Sequence, residues 1–182
     1  MFPFKKDYSA RQKNITRGEN RCEYIVVHHT GTPAGTLEGN IKVLLGETIR
    51  QVSCHFIVDV DGSAYKLGDP KQILWHAGTS NWGNTVGMNY HSLGIEIIWP
   101  TNGDFTNEQR GTVKALIGHL MAVFNIPKEN VLRHADITCA TSSKKILWDG
   151  KVKARKTDVA NSLWKNFTSW KDYQDKLIPK KI

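Results

Sequence analysis

The pattern that most constrains the fold is helical. Thr106 followed three residues later by Gln109 forms a capping box, and Val113, Leu116, Ile117, Leu120, Met121 and Phe124 then draw one apolar stripe along residues 107–124. A helix striped in this way has to cover a sheet. The sheet is predicted by Tyr24-Ile25-Val26-Val27, a short β-branched and aromatic run that ends in polar His28-His29-Thr30-Gly31 and reads as a buried strand. Neighbours on a strand point to opposite faces, so His28 and His29 do not share one site.

The rest of the chain supplies matching elements. Leu37, Ile41, Leu44 and Leu45 recur at helical spacing between residues 37 and 50, with Thr36 as the cap. Residues 54–67 read as a β-hairpin turned by Asp61-Gly62. A Gly/Asn-rich loop with Trp75, His76, Gly78, Trp82 and Asn89 follows, and its aromatics suit a binding surface. Leu93 to Trp99 reads as a strand that is apolar except for Glu96, Val131-Leu132 as a short strand leading into His134, and a last helix is expected over residues 159–167. The order strand, helix, hairpin, strand, helix, strand, helix predicts a single-domain α/β fold, a mixed central sheet with helices packed on it.

A chain of 182 residues fits one domain with a core of its own, without repeats or a Pro/Ser-rich linker. The formal charge of +8 favours polyanionic partners such as nucleic acid, anionic lipid or wall polymers. Cys22, Cys54 and Cys139 are odd in number and unpaired in spacing, which argues against a disulfide framework and for synthesis in a reducing compartment. The first residues, Met1-Phe2-Pro3-Phe4-Lys5-Lys6-Asp7, lack the apolar segment of a secretory signal, and no stretch has the length of a spanning helix. Cytoplasmic synthesis without membrane insertion is the expectation.

His28, His134 and Asp158 are zinc-donor residue types, and three protein donors would leave a fourth position for water. Seven histidines make chance triplets easy, so these residue types alone do not establish a metal site. Glu96, flanked by Ile95, Ile97 and Ile98, either points to solvent by strand alternation or is a desolvated carboxylate suited to proton transfer. Lys156 lies two residues before Asp158, on the same side of an extended segment.

Six stretches then occur in order: Val-Val-His-His-Thr at 26–30, His-Phe-Ile-Val-Asp-Val-Asp-Gly at 55–62, Trp-His-Ala-Gly at 75–78, Asn-Tyr-His-Ser-Leu-Gly-Ile-Glu at 89–96, Arg-His-Ala-Asp-Ile at 133–137 and Arg-Lys-Thr-Asp at 155–158. With them the chain resembles the zinc-dependent N-acetylmuramoyl-L-alanine amidases, a family that includes phage lysozyme-type amidases, cytoplasmic anhydro-muropeptide amidases and peptidoglycan recognition proteins. The resemblance implies a peptidoglycan-recognition-protein/amidase-like fold and one catalytic Zn²⁺ on His28, His134 and Asp158, with Cys139 the rival third donor. It further implies Glu96 as the proton-transfer residue, Lys156 as the oxyanion stabiliser, and His76, Trp75, Trp82, Asn89 and His55 as substrate-binding residues. Where the phage lysozyme branch carries a catalytic tyrosine, this chain has Cys54. Ala154 and Val159 replace the glycine and proline that often flank the family's Arg-Lys-Thr-Asp, and residues 138–153 make a longer, more basic connection than usual.

The organisation expected from the resemblance is an N-terminal extension over 1–23, a zinc amidase catalytic domain over 24–168 and a basic-aromatic tail over 169–182. The expected activity is hydrolysis of the bond between N-acetylmuramic acid and L-alanine in peptidoglycan. A monomeric phage endolysin, released through a holin-permeabilised membrane, is the expected setting. The alternatives are a muropeptide-recycling amidase and a peptidoglycan-binding module without catalysis. No nucleic-acid motif accompanies the positive charge, so nucleic acid is not an expected partner.

Overall fold

The computed structural model describes residues 1–31, 35–100 and 104–137. In chain order its strands are β1 (Lys6–Asp7), β2 (Ile15–Thr16), β3 (Tyr24–His29), β4 (Phe56–Val58), β5 (Ala64–Lys66), β6 (Ile73–Leu74), β7 (Asn81–Trp82), β8 (Thr85–Val86), β9 (Ser92–Ile97) and β10 (Val131–Arg133). The helices are α1 (Leu37–Leu44), α2 (Asn107–Phe124) and α3 (His134–Ile137). Six strands form the central sheet in the order β1-β5-β4-β9-β3-β10, while β2 pairs with β6 and β7 with β8.

The sheet is mixed, as the sequence predicts. Strands β4, β9, β3 and β10 run parallel, whereas β5 returns antiparallel to β4 through the Asp61-Gly62 turn, where Gly62 has φ +79°. Alternation along β4 separates the two faces. Ile57 and Tyr65 pack with Ile41, Leu44 and Leu45, so α1 covers one face. Phe56, Val58, Ile95 and Ile97 pack with Val113, Leu116, Ile117 and Leu120 of α2, which covers the other. Both faces are thus withdrawn from water, which explains why β3 runs apolar from Tyr24 to Val27 rather than alternating, before ending in His28 and His29.

Helix α2 spans the predicted residues, and both halves of its capping box are formed. Helix α1 is shorter than its spacing predicts, ending at Leu44 rather than continuing to Arg50. The stop is Gly46: its φ is +69° and its N–H donates to Val43 O at 3.1 Å. A left-handed residue closes the last turn and turns the chain away. Residues 1–23 lie along the same body, because β1 pairs in parallel with β5 and β2 pairs with β6. The predicted helix at 159–167 and the tail lie outside the described residues.

Candidate functional site

Parallel register builds the site. Along β3 and β9, Tyr24 pairs with Ser92, Val26 with Gly94 and His28 with Glu96, so His28 and Glu96 stand side by side at the carboxyl ends of adjacent strands. On the other flank of β3, Arg133 of β10 pairs with Val27, and His134 follows at once as the first residue of α3. The imidazoles of His28 and His134 meet edge to face with ring centroids 4.4 Å apart. Crevices at the carboxyl ends of parallel strands are the usual ligand sites of such sheets.

A cleft of about 460 Å³ opens there, and its lining includes His28, His76, Glu96, His134, Trp75 and Arg50. His29, on the alternate face, packs its ring on Trp99 with centroids 4.3 Å apart, and it borders the cleft beside Thr30 and Gly31. Arg133 holds the start of α3 through its guanidinium and backbone N–H, both donating to Asp136. The Arg-His-Ala-Asp stretch therefore fixes the backbone that presents His134.

Behind the cleft lies a buried polar layer. His76 approaches His28 with Nδ1 3.1 Å from Nε2, and the other nitrogen of His76 lies 3.3 Å from the Ser92 carbonyl. The backbone N–H groups of His76 and Ala77 both donate to Asn89 Oδ1, at 3.1 and 2.7 Å. His55 accepts the Gly94 N–H on Nδ1 at 3.0 Å and faces the Gln72 carbonyl with Nε2 at 3.1 Å. Asn20 donates to the Ser92 carbonyl at 2.8 Å and fills the space beside His55. Burial keeps both inner histidines neutral, pushing His55 down to about 4 and His76 well below its ordinary value, where the neighbouring His28 adds to the effect. The same burial raises the Cys54 thiol well above its ordinary value.

The sequence-predicted residues thus fall into four groups. His28, His134, Glu96, His76 and Trp75 meet at the cleft. Asn89 and His55 are buried beneath it, holding the loop of residues 75–78 and the backbone of β9. Trp82 sits on the β7–β8 hairpin and packs on the core, not among the residues lining the cleft. Lys156, Asp158 and Cys139 lie outside the described residues. Sequence reasoning passed over Asn20, Ser92 and Gly94, although the last two stand inside the stretch that ends in Glu96. Asn20 had no signal, being one of several polar residues in a segment without periodicity.

The two cleft imidazoles suit a zinc ion as neutral nitrogen donors. Among the described residues no group of three His, Cys, Asp or Glu side chains is arranged to hold a metal. A third donor would come from beyond residue 137, where both Asp158 and Cys139 lie.

Comparison with known proteins agrees with this fold. AmiD, an N-acetylmuramoyl-L-alanine amidase of Escherichia coli, is 30% identical over 133 residues, which is 64% of this chain and 46% of AmiD. AmpD of Haemophilus influenzae, a 1,6-anhydro-N-acetylmuramyl-L-alanine amidase, is 26% identical over 57% of this chain and 58% of its own length. The chain therefore spans about half the length of these curated relatives. Among solved structures, an AmpD crystal structure superposes with TM-score 0.70 at 21% identity, covering 93% of this chain and 94% of that one. A mutant endolysin from Bacillus subtilis gives 0.61 at 25% identity, covering 97% of both chains. The sequence profile of the N-acetylmuramoyl-L-alanine amidases matches residues 18–146, most of the chain, and the protein belongs to that family.

Proposed function

We propose that the protein hydrolyses the amide between the lactyl group of N-acetylmuramic acid and the L-alanine of the stem peptide, using one zinc ion. The observation that carries this reading is the register that sets Glu96 beside His28 while His134 meets the same imidazole. His28, His134 and Asp158 would hold the metal, with Cys139 the rival third donor. Bound there, zinc would supply Lewis acidity toward the amide carbonyl and toward a water molecule.

The protein's own groups do the remainder. Glu96, within the cleft, accepts the proton of the attacking water and returns it to the departing amine of L-alanine. Lys156 would supply the ammonium that stabilises the oxygen on which negative charge collects. Trp75 and His76 line the wall against which sugar or peptide would lie, whereas Asn89 and His55 support that wall from beneath.

Release of a new N-terminal L-alanine from purified sacculi, abolished by a chelator and restored by zinc, tests the reaction. Replacing Glu96→Gln should reduce turnover by about 10²- to 10⁴-fold while zinc stays near one equivalent. Undiminished turnover in that variant would overturn the assignment. The biological setting we favour is wall lysis by a monomeric phage endolysin, because the +8 charge suits attachment to an anionic wall and gives no advantage on small muropeptides. The relationship to AmpD supports the recycling alternative, and relative turnover of sacculi and of soluble anhydro-muropeptide separates the two.

A further inference from the structure

His76 has two ring nitrogens with different surroundings, and these surroundings determine where its proton lies. The partners of Nε2 are the Ser92 carbonyl at 3.3 Å and the Ser92 hydroxyl at 3.5 Å. The carbonyl only accepts, and the hydroxyl spends its proton on the Met88 carbonyl. Both neighbours of Nε2 are therefore acceptors, so this nitrogen carries the hydrogen and Nδ1 carries the lone pair. That lone pair faces His28 Nε2 at 3.1 Å. Two lone pairs at this distance would repel, so the His28 proton lies on Nε2 and its own lone pair lies on Nδ1.

The position of His76 is itself fixed by independent devices. Asn89 Oδ1 takes both N–H groups of residues 76 and 77, and Asn89 Nδ2 reaches the Gly78 carbonyl at 3.4 Å, which pins the loop's backbone. Gly94 leaves room for the ring: a Cβ there would stand 2.7 Å from His76 Cγ. A residue that only filled space would need neither the amide clamp nor the matched acceptors.

We propose that His76 is a positioning residue that fixes the tautomer and orientation of His28, so that His28 offers Nδ1 rather than Nε2 to the zinc ion, and that Asn89 and Gly94 serve this by holding His76 in place. The proposal rests on the zinc amidase reading. It adds which nitrogen binds the metal and which residues decide it.

Long-range ¹H–¹⁵N correlation spectra of the metal-free full chain, with ¹⁵N-labelled histidine, read the tautomers directly. Protonated Nε2 on both His28 and His76 is the expected result, and a proton on Nδ1 of either would overturn the proposal. Zinc affinity, measured by competition with a chromophoric chelator, gives a second readout. His76→Ala should weaken it about 10- to 100-fold, as loss of a ligand's hydrogen-bond partner commonly does, and His76→Gln should restore part of the loss because its carbonyl accepts the same proton. A folded His76→Ala variant with unchanged affinity would refute the role. Because the spectra use the unmutated chain, they stand even where a variant fails to fold. Wall hydrolysis by the same sample is a separate measurement, so a wrong tautomer and a wrong activity are told apart.

Discussion

A methyl group on Gly94 would lie 2.7 Å from His76 Cγ and 2.8 Å from Cys54 Sγ, closer than such atoms approach. Gly94→Ala should therefore destabilise the fold by about 1–3 kcal/mol, the usual cost of overpacking, seen as a lower denaturation midpoint. Cys54→Ala in the same chain should recover part of the loss, because it removes one of the clashing atoms. His55 gives a pH test. Its imidazole titrates at about 4 in the fold instead of near 6.5, so the unfolded chain binds more protons between these values. Stability from this group is fully present above pH 6.5, falls on acidification from 6.5 to about 4, and loses nothing more below that, for a total of about 3 kcal/mol. Denaturant midpoints across that range should fall more steeply in the wild type than in His55→Gln, where the lowered His76 imidazole still contributes. At this scale the sequence revealed the groups that line the cleft better than those that support them. His28, Glu96 and His134 stand in recognisable stretches, but the roles of Ser92 and Asn20 depend on hydrogen bonds made far along the chain.

Elements whose signals are local were legible in the sequence. The α2 stripe and its capping box act within a few residues, and the helix begins and ends where they place it. Thr106 does more than cap, since its hydroxyl also donates to the Val60 carbonyl at 2.8 Å and ties the hairpin to the helix. Thr106→Ala should cost about 1–2 kcal/mol, measured as a lowered unfolding midpoint, and Thr106→Ser should cost much less. The end of α1 was not legible from apolar spacing, because the spacing continues to Leu45 while Gly46 turns left-handed beside Asn14. Strands β1 and β2 were missed for a different reason. Two residues have no periodicity to read, and their pairing is decided by the distant strands β5 and β6.

For the whole molecule the positive charge is the property open to direct test. If the +8 charge holds the protein on an anionic wall, raising salt from 50 to 500 mM should weaken sacculus binding severalfold, with soluble muropeptide turnover nearly unchanged, in assays run side by side. The mixed sheet was inferable in class from the order of elements, but its strand order was not, since parallel neighbours need no nearness in sequence. That non-local order has a consequence for synthesis. Glu96 and His28 come together only when β9 docks on β3, and His134 joins them only when β10 closes the other flank. A chain emerging from the ribosome holds half of the imidazole pair until residue 134 is out, and a chain broken off earlier never gains the other half. The imidazole pair can therefore form only on a polypeptide long enough to have laid down β10, and on the proposed reading any shorter product would be inert.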